Sequence, residues 1–224
     1  MAERSQEPGY HSRLHTADTL VSMTSLLLKQ RELDGLSEPV LNDEELLLLV
    51  TMVGHDALHD GRRNNCTAQL EQMSADFVHQ TLVAHSVQAS DCTRIRQLIL
   101  RTDPACVEAH HAQARRQAFD LTTLEWQTTV VVESDILASV LPEFQSTLTS
   151  KLAAEWAVCD KEGGQMLLSS VGRIRFLRHS ALFSSPASLA LGLPQLVQEQ
   201  ILALQPSSDL GGLTELNPGQ HPSG

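Results

Sequence analysis

Apolar positions along the chain recur at three- and four-residue intervals, and this pattern predicts helices almost throughout. The first covers about 12–31, where Leu14, Ala17, Val21, Leu26 and Leu28 offer apolar faces. Gly35 and Pro39 mark a loop. Asn42-Asp43-Glu44-Glu45 then supplies an N-cap followed by acidic residues that complement the helix dipole. The helix they open carries the apolar run Leu46–Val53 and delivers His55 and Asp56 near its end. Further helices are predicted around 66–88, 92–101 and 105–119, two more within 122–161 that meet near Pro142, and others over 163–178 and 187–204. Strand propensity competes at Thr128-Thr129-Val130-Val131-Val132. The flanks of that run read as helix, so it is assigned to helix. Ser184-Ser185-Pro186 reads as a turn into a helix N-terminus, a cap rather than a nucleophile. From Pro206 to Gly224 the composition turns to Gly, Pro and Ser, which predicts a disordered tail behind a domain at 1–205. No internal repeat is visible.

Composition supports one all-α domain. At 224 residues the chain can bury one substantial core. Hydrophobic residues make up 42% and aromatics only 4%, so the core is built from Leu, Val, Ile and Ala, which favours packed helices over a β-sandwich. The net charge of −11 argues against binding along a nucleic acid backbone, which needs a basic surface. A phosphate substrate stays open, because a local metal centre outweighs the surrounding field. Cys66, Cys92, Cys106 and Cys159 are scattered without a CxxC pair, the pattern of reduced thiols in a cytoplasmic protein. Met1–Pro8 is polar and lacks the apolar core of a secretory signal. The longest apolar run falls well short of the roughly 20 residues that span a bilayer. These features predict a cytoplasmic protein with no membrane association.

The chemistry concentrates in two short segments, Tyr10-His11-Ser12-Arg13-Leu14-His15-Thr16-Ala17-Asp18 and Gly54-His55-Asp56-Ala57-Leu58-His59-Asp60-Gly61. His11, His15 and Asp18 are spaced i, i+4 and i+7, which puts them on one helix face. His55 and Asp56 are neighbours and diverge by roughly 100° on a regular helix, so they serve one centre only if the helix ends there or Asp56 bridges to a second ion. Asp135 is a candidate further carboxylate, with Glu133 two residues earlier as its competitor. Imidazoles with carboxylates suit zinc, manganese or iron, and carboxylate-rich positions suit magnesium. Two such ions about 3.5–4 Å apart clamp a phosphate and generate hydroxide from bound water. His79, His85, His110, His111, His179 and His221 are read as surface or supporting residues, and Trp126 and Trp156 as core or interface aromatics.

The two segments resemble the motifs of the 3′,5′-cyclic nucleotide phosphodiesterases, within the HD-domain phosphohydrolase superfamily. Tyr10-His11-x-x-x-His15-x-Ala17-Asp18 looks like the opening motif and Gly54-His55-Asp56-x-x-His59-x-Gly61 like the second, with Asn64 where the family has an asparagine. Arg96–Asp103 is similar to a later family helix ending in Thr-Asp. The resemblance runs from residue 10 to about 200. It implies a compact multi-helix phosphodiesterase catalytic domain and two divalent ions. His15, His55, Asp56 and Asp135 would hold the tighter ion, and Asp56 would bridge to the second. By the same resemblance His11 is the general acid, His59 and Asn64 orient metal-bound water with Asp18 in support, and Tyr10 lies by the substrate. The implied reaction is in-line attack by a metal-bridging hydroxide while His11 protonates the departing ribose 3′ oxygen.

Two departures bear on substrate. Mammalian-type enzymes carry a pattern like Ser-Gln-Val-Gly-Phe-Ile, whose glutamine hydrogen-bonds the purine and whose phenylalanine stacks on it. This chain reads Ser169-Ser170-Val171-Gly172-Arg173-Ile174, so Ser170 and Arg173 stand at those positions. Arg173 could stack on a base, bind a second anionic group, or be a surface arginine. Only nine residues precede Tyr10, whereas the family has several helices there. The expectation is a domain shortened at its N-terminus, with three readings: a minimal form, a truncated reading frame, or a unit that completes its missing face as a homodimer. The primary expectation is hydrolysis of a small-molecule phosphodiester, with cyclic nucleotides implied. The alternatives are a broader phosphohydrolase and a non-catalytic nucleotide-binding sensor.

Overall fold

The computed structural model describes residues 7–37 and 40–205; Pro39, His221 and the tail expected at 206–224 lie outside the described residues. Eleven helices follow in chain order among them: α1 (Arg13–Leu33), α2 (Asp43–Gly54), α3 (Gln69–Ala84), α4 (Ala89–Leu100), α5 (Val107–Ala114), α6 (Leu124–Val140), α7 (Gln145–Trp156), α8 (Lys161–Leu168), α9 (Ser170–His179), α10 (Pro186–Ala190) and α11 (Leu193–Leu204). A single 3₁₀ turn, Pro104–Cys106, leads into α5. No strand occurs among the described residues, as the sequence pattern implies.

Local signals in the sequence account for several helix starts. Asn42 caps α2 by accepting from the Glu45 amide while the Glu45 carboxylate accepts from the Asn42 amide, a reciprocal capping box. Glu45 also pairs with Arg31 at 2.7 Å, which ties α2 to the end of α1. Ser185 caps α10 ahead of Pro186. The competing strand run lies inside α6, where Thr128 through Val132 are all buried. A helix buried on every side keeps its backbone hydrogen bonds internal, and that decides against strand despite the β-branched residues.

Helix α6 is the centre of the packing. It lies against α1, α2, α4, α5 and α7, and its Val130, Val131, Leu137 and Val140 join Met23, Leu26, Leu48, Met52 and Leu177 in the main core. A smaller cluster of Ala75, Val78, Ile95 and Ile99 joins α3 to α4.

Several expected helices are shorter or broken. The helix expected over 66–88 begins only at Gln69, because Ala68 sits in a left-handed conformation with φ 54°. The segment expected as 105–119 is helical only to Ala114, after its 3₁₀ turn. The helix expected over 163–178 breaks at Ser169, whose hydroxyl caps α9 at Gly172. A Cβ on Gly172 would overlap the Met166 carbonyl, so the tight α8–α9 junction requires glycine. The helix expected over 187–204 breaks at Gly192, φ 73°, in the left-handed region that glycine favours.

Candidate active site

The two sequence segments meet at the N-terminal end of α1 and the C-terminal end of α2. His15 lies in the first turn of α1, and His55 follows the last residue of α2. His55 keeps helical dihedrals (φ −58°, ψ −38°) where α2 ends, and its side chain still meets that of Asp56. Gly54 allows the approach: a Cβ there would lie 2.6 Å from Val78 Cγ2 on α3. Asp135 arrives from α6.

His15 Nε2 lies 3.0 Å from Asp135 Oδ1 and 3.4 Å from Asp56 Oδ2. His55 Nε2 lies 3.2 Å from Asp56 Oδ2 and 3.3 Å from Asp135 Oδ1. One ligand atom each from His15, His55 and Asp56 lies within 4.8 Å of the others. His55 is fully buried, and its Nδ1 is 2.8 Å from the Met52 carbonyl, to which it donates. That bond fixes the ring's orientation and turns Nε2 toward the two carboxylates, free to take a cation when it carries no proton. Despite its proximity to them, Nε2 makes no hydrogen bond of acceptable geometry. Two carboxylates converging on one point repel unless positive charge, on the imidazoles or on a cation, stands between them.

The electrostatics agree. Burial pushes His15 down, but hydrogen bonds to Asp135 and Asp56 outweigh it and raise it to about 9. Burial likewise opposes the rise of His55 and is overcome by the charges of Asp56 and Asp135. Burial would raise Asp56 and Asp135, yet the charge of His55 foremost holds both below the usual carboxylate range. The quartet favours positive charge at its centre, which a divalent ion would supply in place of protons.

Glu133, the competing carboxylate, does not reach this centre. Two residues from Asp135 on one helix, it faces the other side of α6. It is fully buried there, accepting from the backbone amides of Ser184 and Ser185 and from the hydroxyls of Ser185 (2.5 Å) and Ser188 (2.6 Å). It anchors the start of α10. His111, read as a surface or supporting residue, is of the second kind: it is fully buried, with its Nδ1 2.8 Å from Ser184 Oγ beside that anchor.

A second group adjoins the first. His11 Nδ1 lies 2.5 Å from Glu155 Oε1, and Glu155 Oε2 accepts from the amides of Tyr10 (2.7 Å) and His11 (3.1 Å). The His59 ring stacks on His11 with centroids 3.5 Å apart, and the His11 and His15 rings are 5.7 Å apart edge to face. Burial first, then the charge of His11, pushes His59 down to about 4, so it is neutral near pH 7. Its Nδ1 accepts from the Gly61 amide, which places its proton on Nε2. Burial would raise Glu155, but the hydrogen bond from His11 outweighs it and holds the carboxyl below its usual range. Glu155 is the residue that sequence reasoning missed. It lies 144 positions from His11 on an ordinary helix, and its only local trace is Gly61, where a Cβ would press on Glu155 Cγ at 3.0 Å.

The remaining expected residues are dispersed around these groups. Tyr10 stacks beside His15 at 4.7 Å, with its hydroxyl 3.3 Å from Ser139 Oγ; burial first, then Asp135, raises that hydroxyl far above the usual tyrosine range. Asn64 donates to Glu71 Oε2 and accepts from the Leu70 amide, bracing the start of α3. Glu71, also missed, is buried, and its carboxyl is raised by burial first and then by Asp103 and Asp56. Asp18 is half-exposed on α1 and belongs to neither group. Ser170 is exposed at the start of α9. Arg173, one of whose readings was a surface residue, is half-buried: its Nη2 lies within 3.0 Å of the Ser139 carbonyl, Gln145 Oε1 and Gln200 Oε1.

No protein-family model matches the chain, and no curated protein matches it. Solved structures do. The phosphodiesterase domain of a RhoPDE fusion protein from the choanoflagellate Salpingoeca rosetta is similar at 14% identity over 89% of this chain and 78% of that one, with a TM-score of 0.66. The phosphodiesterase domain of Salpingoeca rosetta rhodopsin phosphodiesterase is similar at 15% identity over 89% of this chain and 75% of that one, with a TM-score of 0.67. The chain has the fold of these helical phosphodiesterase domains. No helix among the described residues is long and apolar enough to cross a membrane.

Proposed function

We propose that this chain is a metal-dependent hydrolase of small phosphodiesters, with 3′,5′-cyclic nucleotides as the substrate class that its motifs imply. The observation that carries the reading is His55. Its Nε2 is buried, without a hydrogen bond, and faces Asp56 and Asp135 beside His15, while Nδ1 is held by the Met52 carbonyl. That donor set of two imidazoles and two carboxylates fits zinc, manganese, iron or magnesium. His15, His55, Asp56 and Asp135 would hold the first ion, and Asp56 would be shared with a second. Bound divalent ions in such a pair supply charge stabilisation and an activated water.

The rest of the chemistry belongs to side chains of the chain. Glu155 fixes His11 through two backbone amides and Nδ1, so the imidazole keeps one orientation with Nδ1 on the carboxylate and Nε2 turned away from it. Held this way, His11 can release a proton from Nε2 to a departing alkoxide, a poor leaving group without it. His59 covers one face of the His11 ring while remaining neutral, so it adds packing without a competing charge.

A broader specificity is the second reading, and Ser170 and Arg173 favour it. Ser170 offers no amide, and Arg173 is tied down by three acceptors, so neither position carries the usual purine reader or clamp. The test is a hydrolysis panel of cyclic AMP, cyclic GMP, a bis-aryl phosphodiester and a phosphomonoester, with manganese, magnesium or zinc supplied. Turnover of the diesters supports hydrolysis, and strict preference for one purine cyclic nucleotide over the aryl diester would remove the broad reading. Binding of cyclic nucleotide without turnover on any metal would mark a sensor instead.

A further inference from the structure

We propose that the exposed face of α1 is a self-association surface at which two copies of this chain pair antiparallel about a two-fold axis at Val21. Helix α1 buries one side against α2, α6 and α10. Its other side exposes Leu14 (65%), Val21 (67%) and Leu28 (61%), with Ala17 and Ser25 exposed between them and Thr24 exposed at the stripe's edge. At 100° per residue the first five of these positions share one narrow stripe about 21 Å long. Every exposed residue from Leu14 to Leu28 is uncharged.

The order of residues within the stripe identifies the occupant. The spacings from Leu14 through Ala17, Val21 and Ser25 to Leu28 are three, four, four and three, which read the same in both directions. The residue sizes mirror too: leucine, small, valine, small, leucine. Reversed about Val21, Leu14 faces Leu28 of a second copy and Ala17 faces Ser25, so large side chains cover each other and small ones let the helices approach. An isologous two-fold contact requires such self-complementarity, and a partner of unrelated sequence does not. Net charge −11 opposes association of copies over most of the surface, whereas the exposed residues of this stripe are uncharged, with half-exposed Asp18 at its flank. The cations at its ends, Arg13 and Lys29, are already paired with Glu7 and Glu32.

The inference does not depend on the proposed reaction. Sedimentation velocity of the full chain across low to high micromolar concentration is expected to show a monomer–dimer equilibrium. Val21→Glu, which sets two carboxylates against each other on the axis, is expected to weaken association at least about 100-fold with helical circular dichroism retained. Ala17→Lys alone and Ser25→Glu alone are each expected to weaken it, and the double variant to restore it, because residue 17 of one copy faces residue 25 of the other. A wild-type chain that stays monomeric throughout overturns the proposal. So does a folded Val21→Glu dimer of undiminished affinity, or a double variant no tighter than its parents.

Discussion

His11 and Glu155 divide one task between two side chains. His11→Ala is expected to lower kcat on alkyl phosphodiesters by roughly 10²–10⁴-fold while metal content is unchanged. An aryl ester with a good leaving group should be affected far less, since it departs without the proton. Loss of metal in His11→Ala with unchanged turnover per bound ion would refute the assignment. Glu155→Gln keeps a hydrogen-bonding side chain but replaces the carboxylate that orients His11 through Nδ1 and the two backbone amides. It is expected to lower kcat on alkyl esters about tenfold or more with little change in KM. Much of this site was legible because its residues are close in sequence or carry motif spacing: His11, His15, His55 and Asp56 meet as their positions imply. The choice between Glu133 and Asp135 was not, because it depends on how α6 is rotated, which only its neighbours fix. Glu155 left no motif at all.

At the scale of elements, close approaches and buried anchors hold the site in place. Gly54→Ala is expected to push α2 away from Val78 on α3 and lower both thermal stability and metal affinity, since His55 and Asp56 ride on that helix end. The anchor behind α6 sets a pH dependence. Burial first, and then the charges of Arg115 and His110, push His111 down to about 4 from its ordinary 6.5. Between those values the unfolded chain takes up a proton that the folded chain refuses. The contribution of His111 is therefore complete above pH 6.5 and falls, by about 3 kcal/mol at most, as the pH drops toward 4. Urea unfolding at pH 7.5 and pH 4.5 should show that loss in the wild type and a smaller one in His111→Gln; equal losses would remove His111 as the cause. Element starts were legible where a cap lies in the sequence, as at Asn42 and Ser185. The breaks at Ser169 and Gly192 were not, because apolar spacing continues across both and only tertiary packing favours the interruption.

For the whole molecule, the all-helical class followed from periodicity and from a core poor in aromatics, and the arrangement matches phosphodiesterase domains at 14–15% identity. Fold alone does not assign a reaction, because one fold hosts many functions. The proposed link from this fold to phosphodiester chemistry is the meeting of two buried histidines, His15 and His55, with the part-buried carboxylates of Asp56 and Asp135. Pairing through α1 would act on the same region, because the helix that carries the stripe also carries His15 and follows directly from His11. The most direct measurement is hydrolysis of a cyclic nucleotide and an aryl phosphodiester by chelator-stripped protein before and after divalent metal is restored, with Asp56→Asn in parallel. The expected result is turnover that disappears with the metal, returns with it, and is absent in the folded variant. A stripped protein that stays inactive with manganese, magnesium or zinc restored, or one that hydrolyses equally well without metal, would contradict the account.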